Sequence, residues 1–262
     1  MSNIPTKILP RLTLGIKKFQ TILTTAKAKD INESDTVVII TDMLSEVFGF
    51  DKYSEITSEF AVKKTWCDLA IKIEEKVKFL IEVKAIGLLP KEDHIKQAVD
   101  YGSNSGVDWV ILTNGIRWRI YKIIYGKPIS HDLVYEFDFL TLNAKKEADL
   151  SLLYYVSKES LTKSVLEEFH VQKQSLSKFF IGQILLSDSV LEAIKKSVKK
   201  ITPNAKLDTD DIRDVIANEV VKREIFEGDK ADEAKKKIIK ALKALEGKKA
   251  PSTQTEEKQV DK

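Results

Sequence analysis

Two carboxylates and a lysine stand in two neighbouring segments that both have the alternating apolar pattern of β-strands. Asp68 lies in the first segment, and Glu82 and Lys84 lie at the end of the second. Because side chains alternate between the two faces of a strand, polar residues between apolar ones share one face. The polar residues Glu74–Lys76 between the two segments predict a hairpin with a three-residue turn. In such a hairpin Asp68 lies opposite Glu82, and Lys84 lies on the same face.

Two carboxylates at opposed strand positions have Cβ atoms roughly 5 Å apart and destabilise the sheet unless a cation neutralises them. Mg²⁺ suits this role because it prefers oxygen ligands and keeps several waters, so it can bridge two carboxylates and a phosphate. Such an ion activates water and stabilises developing phosphate charge, while Lys84 would orient the attacking water or stabilise the phosphate. We therefore expect Asp68 and Glu82 to bind Mg²⁺, with Mn²⁺ as a substitute, and the reaction to be phosphodiester hydrolysis.

The Glu-x-Lys pattern is informative only in its sequence context. The copy that begins at Glu82 stands in an apolar, strand-like segment, and an aspartate precedes it on the same face. Four further copies lack this context: Glu74/Lys76, Glu233/Lys235, Glu246/Lys248 and Glu256/Lys258. The structural alternative is an edge hairpin with an exposed charged face, in which Lys84 only pairs with a carboxylate.

Composition and periodicity predict an α/β region with a mixed sheet around these residues. The chain has 262 residues, of which 43% are hydrophobic and 32% charged, enough apolar mass for one large or two modest domains. Start signals at Asn32 and Pro90 favour helices over about 33–48 and 91–104. Strands are predicted over about 55–62, 66–73, 77–84, 107–112, 116–124 and 133–137, with a type I′ hairpin turn at Asn114-Gly115.

The periodicity becomes helical after about Ala148, and no convincing strand follows. We predict a first domain over 1–148, a small all-α module over 149–246 and a disordered tail over 247–262. The tail is rich in Lys, Glu, Gln, Ser and Thr, which cannot bury a core. The helical module is expected to contact DNA or to dimerise.

The order of motifs in the first domain resembles the N-terminal nuclease domain of type I restriction enzyme R subunits, a branch of the PD-(D/E)xK nuclease superfamily. The resemblance covers about the first 140 residues, and several motifs in the right order are far more specific than any one. Its motifs are Asn32-Glu33-Ser34-Asp35-Thr36, Leu44, Phe48-Gly49-Phe50, Glu59, Asp68, Ile81-Glu82-Val83-Lys84, Gln97 to Tyr101, and Leu112-Thr113-Asn114-Gly115 with Trp118.

This resemblance implies a restriction-endonuclease-like mixed sheet flanked by helices, with Asp68 and Glu82 as metal ligands and Lys84 as the catalytic lysine. It adds Glu33 as a further acidic contributor, for which the alternative is a first-turn glutamate favoured by the helix dipole. Gln97 would belong to the catalytic site, and Tyr101, one helical turn away, would contact DNA or bond within the core. Cys67 replaces the proline that names the superfamily, a departure that does not by itself threaten metal binding.

Basic residues elsewhere are candidates for phosphate contacts. A predicted helix over 187–201 carries a stripe of lysines: Lys195, Lys196, Lys199 and Lys200. These lysines bind nucleic-acid phosphates or form an ordinary solvated face. The first 29 residues hold six basic residues and no acid, and the same two interpretations apply there. An apolar run over 179–186 favours either dimerisation or core burial.

Several classes of protein are excluded by what the sequence lacks. No window has 18 consecutive apolar residues and no export signal begins the chain, so we expect no membrane span. A single cysteine, Cys67, and three scattered histidines give neither a disulfide nor zinc spacing. There is no Gly-x-x-x-x-Gly-Lys-[Ser/Thr] loop, so we expect no ATP site. These features favour a cytoplasmic protein.

The leading hypothesis is a Mg²⁺-dependent DNA endonuclease in restriction or defence against foreign DNA. Its expected partners are DNA, a second copy of the chain and subunits of a restriction system. The first alternative is a non-cutting DNA-binding or regulatory subunit that retains the nuclease fold. The second is a structural interaction protein, which predicts no salt-sensitive binding of DNA.

Overall fold

The computed structural model describes residues 4–62 and 65–247. The chain divides into two compact units, Met1–His170 and Val171–Lys262, and each is described by itself below. The division lies later than the boundary predicted after residue 148, because apolar residues from the helices that follow, Leu150 and Leu153 among them, belong to the core of the first unit.

The first unit consists of helices on both sides of one sheet. Its helices are α1 (Leu9–Ala28), α2 (Glu33–Glu46), α3 (Glu92–Ser105), α4 (Glu147–Val156), α5 (Lys158–Thr162) and α6 (Val165–Ser175), which crosses the division. Its strands are β1 (Ile56–Val62), β2 (Thr65–Ile73), β3 (Lys76–Val83), β4 (Trp109–Thr113), β5 (Arg117–Ile124) and β6 (Ser130–Asp138). A short 3₁₀-helix, Phe139–Thr141, follows β6.

The six strands form a single sheet in the order β1-β2-β3-β4-β5-β6. Only β3 and β4 are parallel, and the other neighbours are antiparallel. A parallel pair needs a crossover connection, which α3 supplies. The predicted α/β class with a mixed sheet flanked by helices is therefore confirmed.

The sheet has two different faces. One face, with Ile81 and Ile111, forms the larger core together with apolar residues of α1, α2 and α4. The other face, with Leu112 and Tyr121, packs against Ile95 of α3 and its neighbours. Glu82 and Lys84 alternate with core residues of the first face, so they point to the side of α3.

The β2–β3 turn differs from the three-residue turn predicted over Glu74–Lys76. It has two central residues, Glu74 and Glu75, both with positive φ (51° and 61°), as a type I′ turn requires. Ile73 consequently pairs with Lys76, and a register shift after Ile71 then restores the predicted pairing further along the strands. A β-bulge thus compensates for the shorter turn, and Leu69 pairs with Ile81 as expected.

The β4–β5 turn also corrects a prediction. Of the predicted central pair, only Gly115 has positive φ (83°), so the turn is not type I′. The N–H of Asn114 donates to the carbonyl of Arg117, which makes Gly115 the first central residue. Asn114 itself is 5% exposed.

The basic segment before residue 29 forms most of α1, whose buried side includes Leu12, Ile16 and Phe19. Arg11 is engaged within the fold: its Nε donates to the carbonyl of Val47, and its Nη atoms bind both carboxylate oxygens of Glu159 at 2.8 and 2.6 Å. Lys17 and Lys18 are exposed, which fits a solvated helix face and a phosphate contact equally.

The second unit is helical, as predicted. It contains α7 (Lys178–Leu185), α8 (Asp188–Ile201), α9 (Thr209–Val215), a π-helical turn (Ile216–Val220), a 3₁₀ turn (Arg223–Ile225) and α10 (Asp229–Gly247). The predicted tail over 247–262 lies outside the described residues, except for Gly247. None of the described helices has the length and apolar character that a membrane crossing requires.

The Arg11–Glu159 pair should contribute to the stability of the first unit. Both side chains are less than a third exposed, and the pairing is bidentate. We expect Glu159→Gln to lower the free energy of unfolding in urea by about 1.5–3 kcal/mol near neutral pH, because the hydrogen bonds are charge-assisted. Lys18→Gln, which disrupts the exposed pair with Glu46, is the control and should cost at most about 1 kcal/mol.

The effect of Glu159→Gln should depend on pH. Burial alone would raise the pKa of Glu159, but the hydrogen bonds and charge of Arg11 outweigh it and hold the pKa below its usual value. The stabilisation is therefore complete above the unfolded-state pKa of about 4.3 and is lost as the pH falls through the folded-state pKa. A difference between wild type and Glu159→Gln that stays constant from neutral pH to about pH 3 would contradict this assignment.

Candidate active site

Asp68, Glu82 and Lys84 meet where the β2–β3 ladder ends. Lys84 Nζ lies 2.7 Å from Glu82 Oε1. The carboxylate Oδ2 of Asp68 accepts a 2.6 Å hydrogen bond from the N–H of Val83, the residue between the other two. Glu82 is 4% exposed, so a nearly buried carboxylate forms the floor of the site.

The local backbone explains this convergence. Leu69 and Ile81 form the last backbone pair of β2 with β3. Beyond this pair, the Val83 N–H donates to the Asp68 side chain instead of to a backbone carbonyl of β2. On the opposite edge of β3, the N–H of Lys84 donates to the carbonyl of Thr113 at 2.9 Å. The backbone at Glu82 is therefore held from both sides, and the register places Asp68 beside Glu82.

Burial and the neighbouring charges shift the pKa values of Asp68, Glu82 and Lys84. Burial raises the pKa of Asp68, and burial together with the charge of Asp68 raises the pKa of Glu82. For Lys84, burial lowers the pKa, but the carboxylates of Glu82, Glu33 and Asp68 outweigh this effect and raise it. Lys84 therefore remains protonated at neutral pH and compensates only part of the carboxylate charge.

Cys67 occupies the position before Asp68 and is buried against β3. Its Sγ lies 3.3 Å from the carbonyl oxygen of Ile81. Burial raises the pKa of the Cys67 thiol to about 12, so the thiol is protonated at neutral pH and is a poor metal ligand. The atoms of this site that could bind a metal are therefore carboxylate oxygens.

The donor set suits a hard divalent cation that also binds substrate. Hydrogen bonds to described residues occupy Oδ2 of Asp68 and Oε1 of Glu82 and leave Oδ1 and Oε2 for other ligands. Within residues 4–62 and 65–247, no group of three or more His, Cys, Asp or Glu side chains is placed to hold a metal ion. Two carboxylates fit Mg²⁺, which usually takes one or two carboxylates and completes its shell with water and phosphate.

Glu33 reaches the site from α2. Asn32 caps this helix by accepting a hydrogen bond from the Asp35 N–H, which starts the helix at Glu33. The Oε2 atom of Glu33 lies 3.6 Å from Lys84 Nζ, and the side chain is 47% exposed. A first-turn glutamate gains from the helix dipole as well, so both interpretations of this residue have support.

The other predicted site residues are placed differently. Gln97 lies on α3, but its side chain is outside the part that the structure describes. Tyr101 is 6% exposed and packs with Ala70, Leu80 and Val107, which favours its core interpretation over contact with DNA.

The lysine stripe lies on α8, in the second unit. Lys196, Lys199 and Lys200 are exposed. Lys195 is 22% exposed and pairs with Glu192 at 3.7 Å and Asp208 at 3.5 Å. The three exposed lysines remain candidates for phosphate contacts, and the pairing of Lys195 favours the solvated-face interpretation for that residue.

Asn114 is a residue that sequence reasoning treated only as part of a turn. Its Nδ2 donates to the carbonyls of Ile86 and Leu88 at 2.9 and 3.1 Å, and its Oδ1 accepts from the N–H groups of Ile116 and Arg117. It therefore ties the segment that follows Lys84 to the β4–β5 turn. No sequence signal distinguishes this buried asparagine from an exposed turn residue, because its partners come from a different part of the chain.

Part of the first unit matches a known protein family. Residues 39–135 match the model of the family described as type I restriction enzyme R protein N terminus (HSDR_N). The matched range includes Asp68, Glu82, Lys84 and Asn114 but not Glu33 or the second unit. No curated protein and no solved structure matches the chain. Over residues 39–135, the chain is thus similar to the type I restriction enzyme R protein N terminus, which confirms the resemblance seen in its motifs.

Proposed function

We propose that the first unit is a Mg²⁺-dependent endonuclease that hydrolyses phosphodiester bonds of DNA, in restriction or in defence against foreign DNA. The observation that supports this most is the convergence of Asp68, Glu82 and Lys84 on one sheet face, inside the segment that matches the restriction enzyme family. An edge hairpin with a solvated charged face, the structural alternative, does not account for a glutamate that is only 4% exposed.

In this proposal Asp68 and Glu82 hold the ion, and Mn²⁺ substitutes for Mg²⁺. The bound ion would supply Lewis-acid stabilisation of the charge that develops on the phosphate. The Val83 N–H orients Asp68, and the ion pair with Lys84 orients Glu82. These contacts hold the carboxylates before substrate arrives, so little reorganisation is needed during the reaction.

Lys84 has the role of a fixed positive charge. Its side chain is 17% exposed, enough to reach a substrate while being shielded from bulk solvent. Its ammonium group would donate to a phosphate oxygen or orient the water that attacks phosphorus as the bond to the leaving ester oxygen breaks. Glu33, within 4 Å of Nζ, would help to keep Lys84 charged and in place.

One site cuts one strand at a time. Cleavage of both strands would need a homodimer or repeated nicking, and restriction-system subunits are the other expected partners. We place the reaction in the cytoplasm, where such DNA would be met. The second unit would add DNA contacts through the exposed lysines of α8 or support dimerisation.

Substitution of the site residues should abolish nicking of supercoiled DNA. With Mg²⁺ or Mn²⁺, we expect Glu82→Gln and Lys84→Ala to lower the rate by at least about 100-fold, since the first removes a metal-ligating carboxylate and the second removes the positive charge next to the reacting phosphate. The matched controls are Glu74→Gln and Lys76→Ala, the Glu-x-Lys copy in the hairpin turn of the same strands, which should cut like wild type. EDTA should stop cleavage by wild type.

Each other outcome of this assay has a defined meaning. Nicking by Glu82→Gln at the wild-type rate would overturn the site assignment. Tight, salt-sensitive DNA binding by wild type without cleavage would favour the non-cutting regulatory subunit. Absence of salt-sensitive binding would favour the structural interaction protein.

Metal binding can be tested without DNA. Titration calorimetry with Mn²⁺ should show binding to wild type that the double variant Asp68→Asn/Glu82→Gln lacks, because amides are weaker ligands for hard cations than carboxylates. Circular dichroism should show that both proteins are folded. Equal Mn²⁺ binding by the two proteins would contradict the assignment of these carboxylates as ligands.

Asn114→Ala should destabilise the protein and slow cleavage. The substitution leaves buried carbonyl and N–H groups without partners, which we expect to cost about 2–4 kcal/mol in the free energy of unfolding. Because the segment after Lys84 loses its anchor, nicking should also slow at temperatures where the variant is folded. The control is Asn143→Ala, in an exposed turn, which should cost at most about 1 kcal/mol.

A further inference from the structure

Two arginines lie on the sheet face that carries the site but are not part of it. In the strand register, Glu82 pairs with Leu112, and Leu112 pairs with Arg119. Arg117 stands two residues before Arg119 on β5 and therefore on the same face. With neighbouring strands about 4.8 Å apart, Arg119 is displaced from Glu82 by roughly 10 Å across the sheet.

The packing of neighbouring residues supports this orientation. Leu112 and Tyr121 both pack against α3, and Glu82 shares their face by the alternation of β3 and β4. The guanidinium carbon of Arg119 lies 5.8 Å from the centre of the Tyr121 ring, which agrees with a position on that face. Trp118 and Ile120 point instead into the larger core.

Glu136 of β6 holds the two arginines together. Its carboxylate lies 3.1 Å from Arg119 Nε and 3.8 Å from Arg117 Nη1. Among the described residues, Nε is the hydrogen-bonding group that Arg119 uses, and the Arg119 side chain is 16% exposed. The Arg117 side chain is 35% exposed, and the cluster of two arginines and one glutamate has a net charge of +1.

We propose that Arg117 and Arg119 bind the phosphodiester backbone of the DNA strand that is cut. That this strand is cut rests on the function proposed above. Guanidinium groups match phosphate oxygens in a bidentate way, and the site beside them is rich in carboxylates that would otherwise repel DNA. At 3.4 Å of helix axis per nucleotide, a displacement of roughly 10 Å places the contact within about three nucleotides of the reacting phosphate.

The test is the binding of a short fluorescent DNA duplex, measured by anisotropy in EDTA so that no cleavage takes place. Arg117→Gln and Arg119→Gln should each lower the affinity by up to about eightfold near 0.1 M salt and make the log–log salt slope shallower by about 0.9, as expected for one lost phosphate contact. Lys52→Gln, which disrupts an exposed pair with Asp42, is the control and should bind like wild type.

A second variant separates DNA contact from a structural role. Glu136→Gln removes the carboxylate that competes with phosphate for the arginines, so it should tighten DNA binding by a few-fold at low salt. If the arginines only stabilise the sheet through Glu136, this variant leaves DNA binding unchanged or weakens it, which would overturn the proposal. Urea unfolding of each variant shows whether a loss of binding reflects a loss of folding.

The proposal and the nuclease function can fail independently. Unchanged affinity and salt slope in the double variant Arg117→Gln/Arg119→Gln would overturn the phosphate contact while leaving metal-dependent cleavage intact. If the double variant binds DNA more weakly but wild type never cuts DNA, the result would support the phosphate contact and count against the nuclease. If wild type shows no salt-dependent binding, the phosphate contact is wrong.

Discussion

The site depends on the pairing register of β2 with β3. This register places Asp68 beside Glu82, and side-chain alternation then places Lys84 on the same face. A one-residue slip would turn Glu82 into the larger core and expose Ile81, so burial of the apolar face protects the arrangement of the polar one. The type I′ turn and the bulge after Ile71 together produce the register, and neither gives it alone.

The same register creates an electrostatic problem that the fold solves only in part. Two carboxylates are partly or wholly withdrawn from water, and burial raises the pKa of each. Lys84 and the Val83 N–H compensate some of the negative charge. The proposed divalent cation would balance the remaining carboxylate charge next to one ammonium group.

The rest of the first unit acts as a frame for this hairpin. Next to the parallel β3–β4 pair, the backbone N–H of Lys84 donates to the Thr113 carbonyl. The crossover helix α3 packs on the sheet face that carries the site. Asn114 then fixes the segment that follows Lys84. The sheet continues beyond the site to β5, whose arginines present positive charge on the face where the carboxylates lie.

The sequence by itself determined the strands, the shared face of Asp68, Glu82 and Lys84, and the resemblance to a restriction enzyme domain, because alternation and motif order are local properties. It did not determine the two turns: Glu74-Glu75 lacks the glycine or asparagine that identifies a type I′ turn, and Asn114-Gly115 has them without forming one. Only the tertiary structure decided that Asn114 is buried, that Tyr101 belongs to the core and that the first unit continues to His170. The physical reason is that burial and hydrogen-bond partners come from segments far apart in the chain, which local periodicity does not encode.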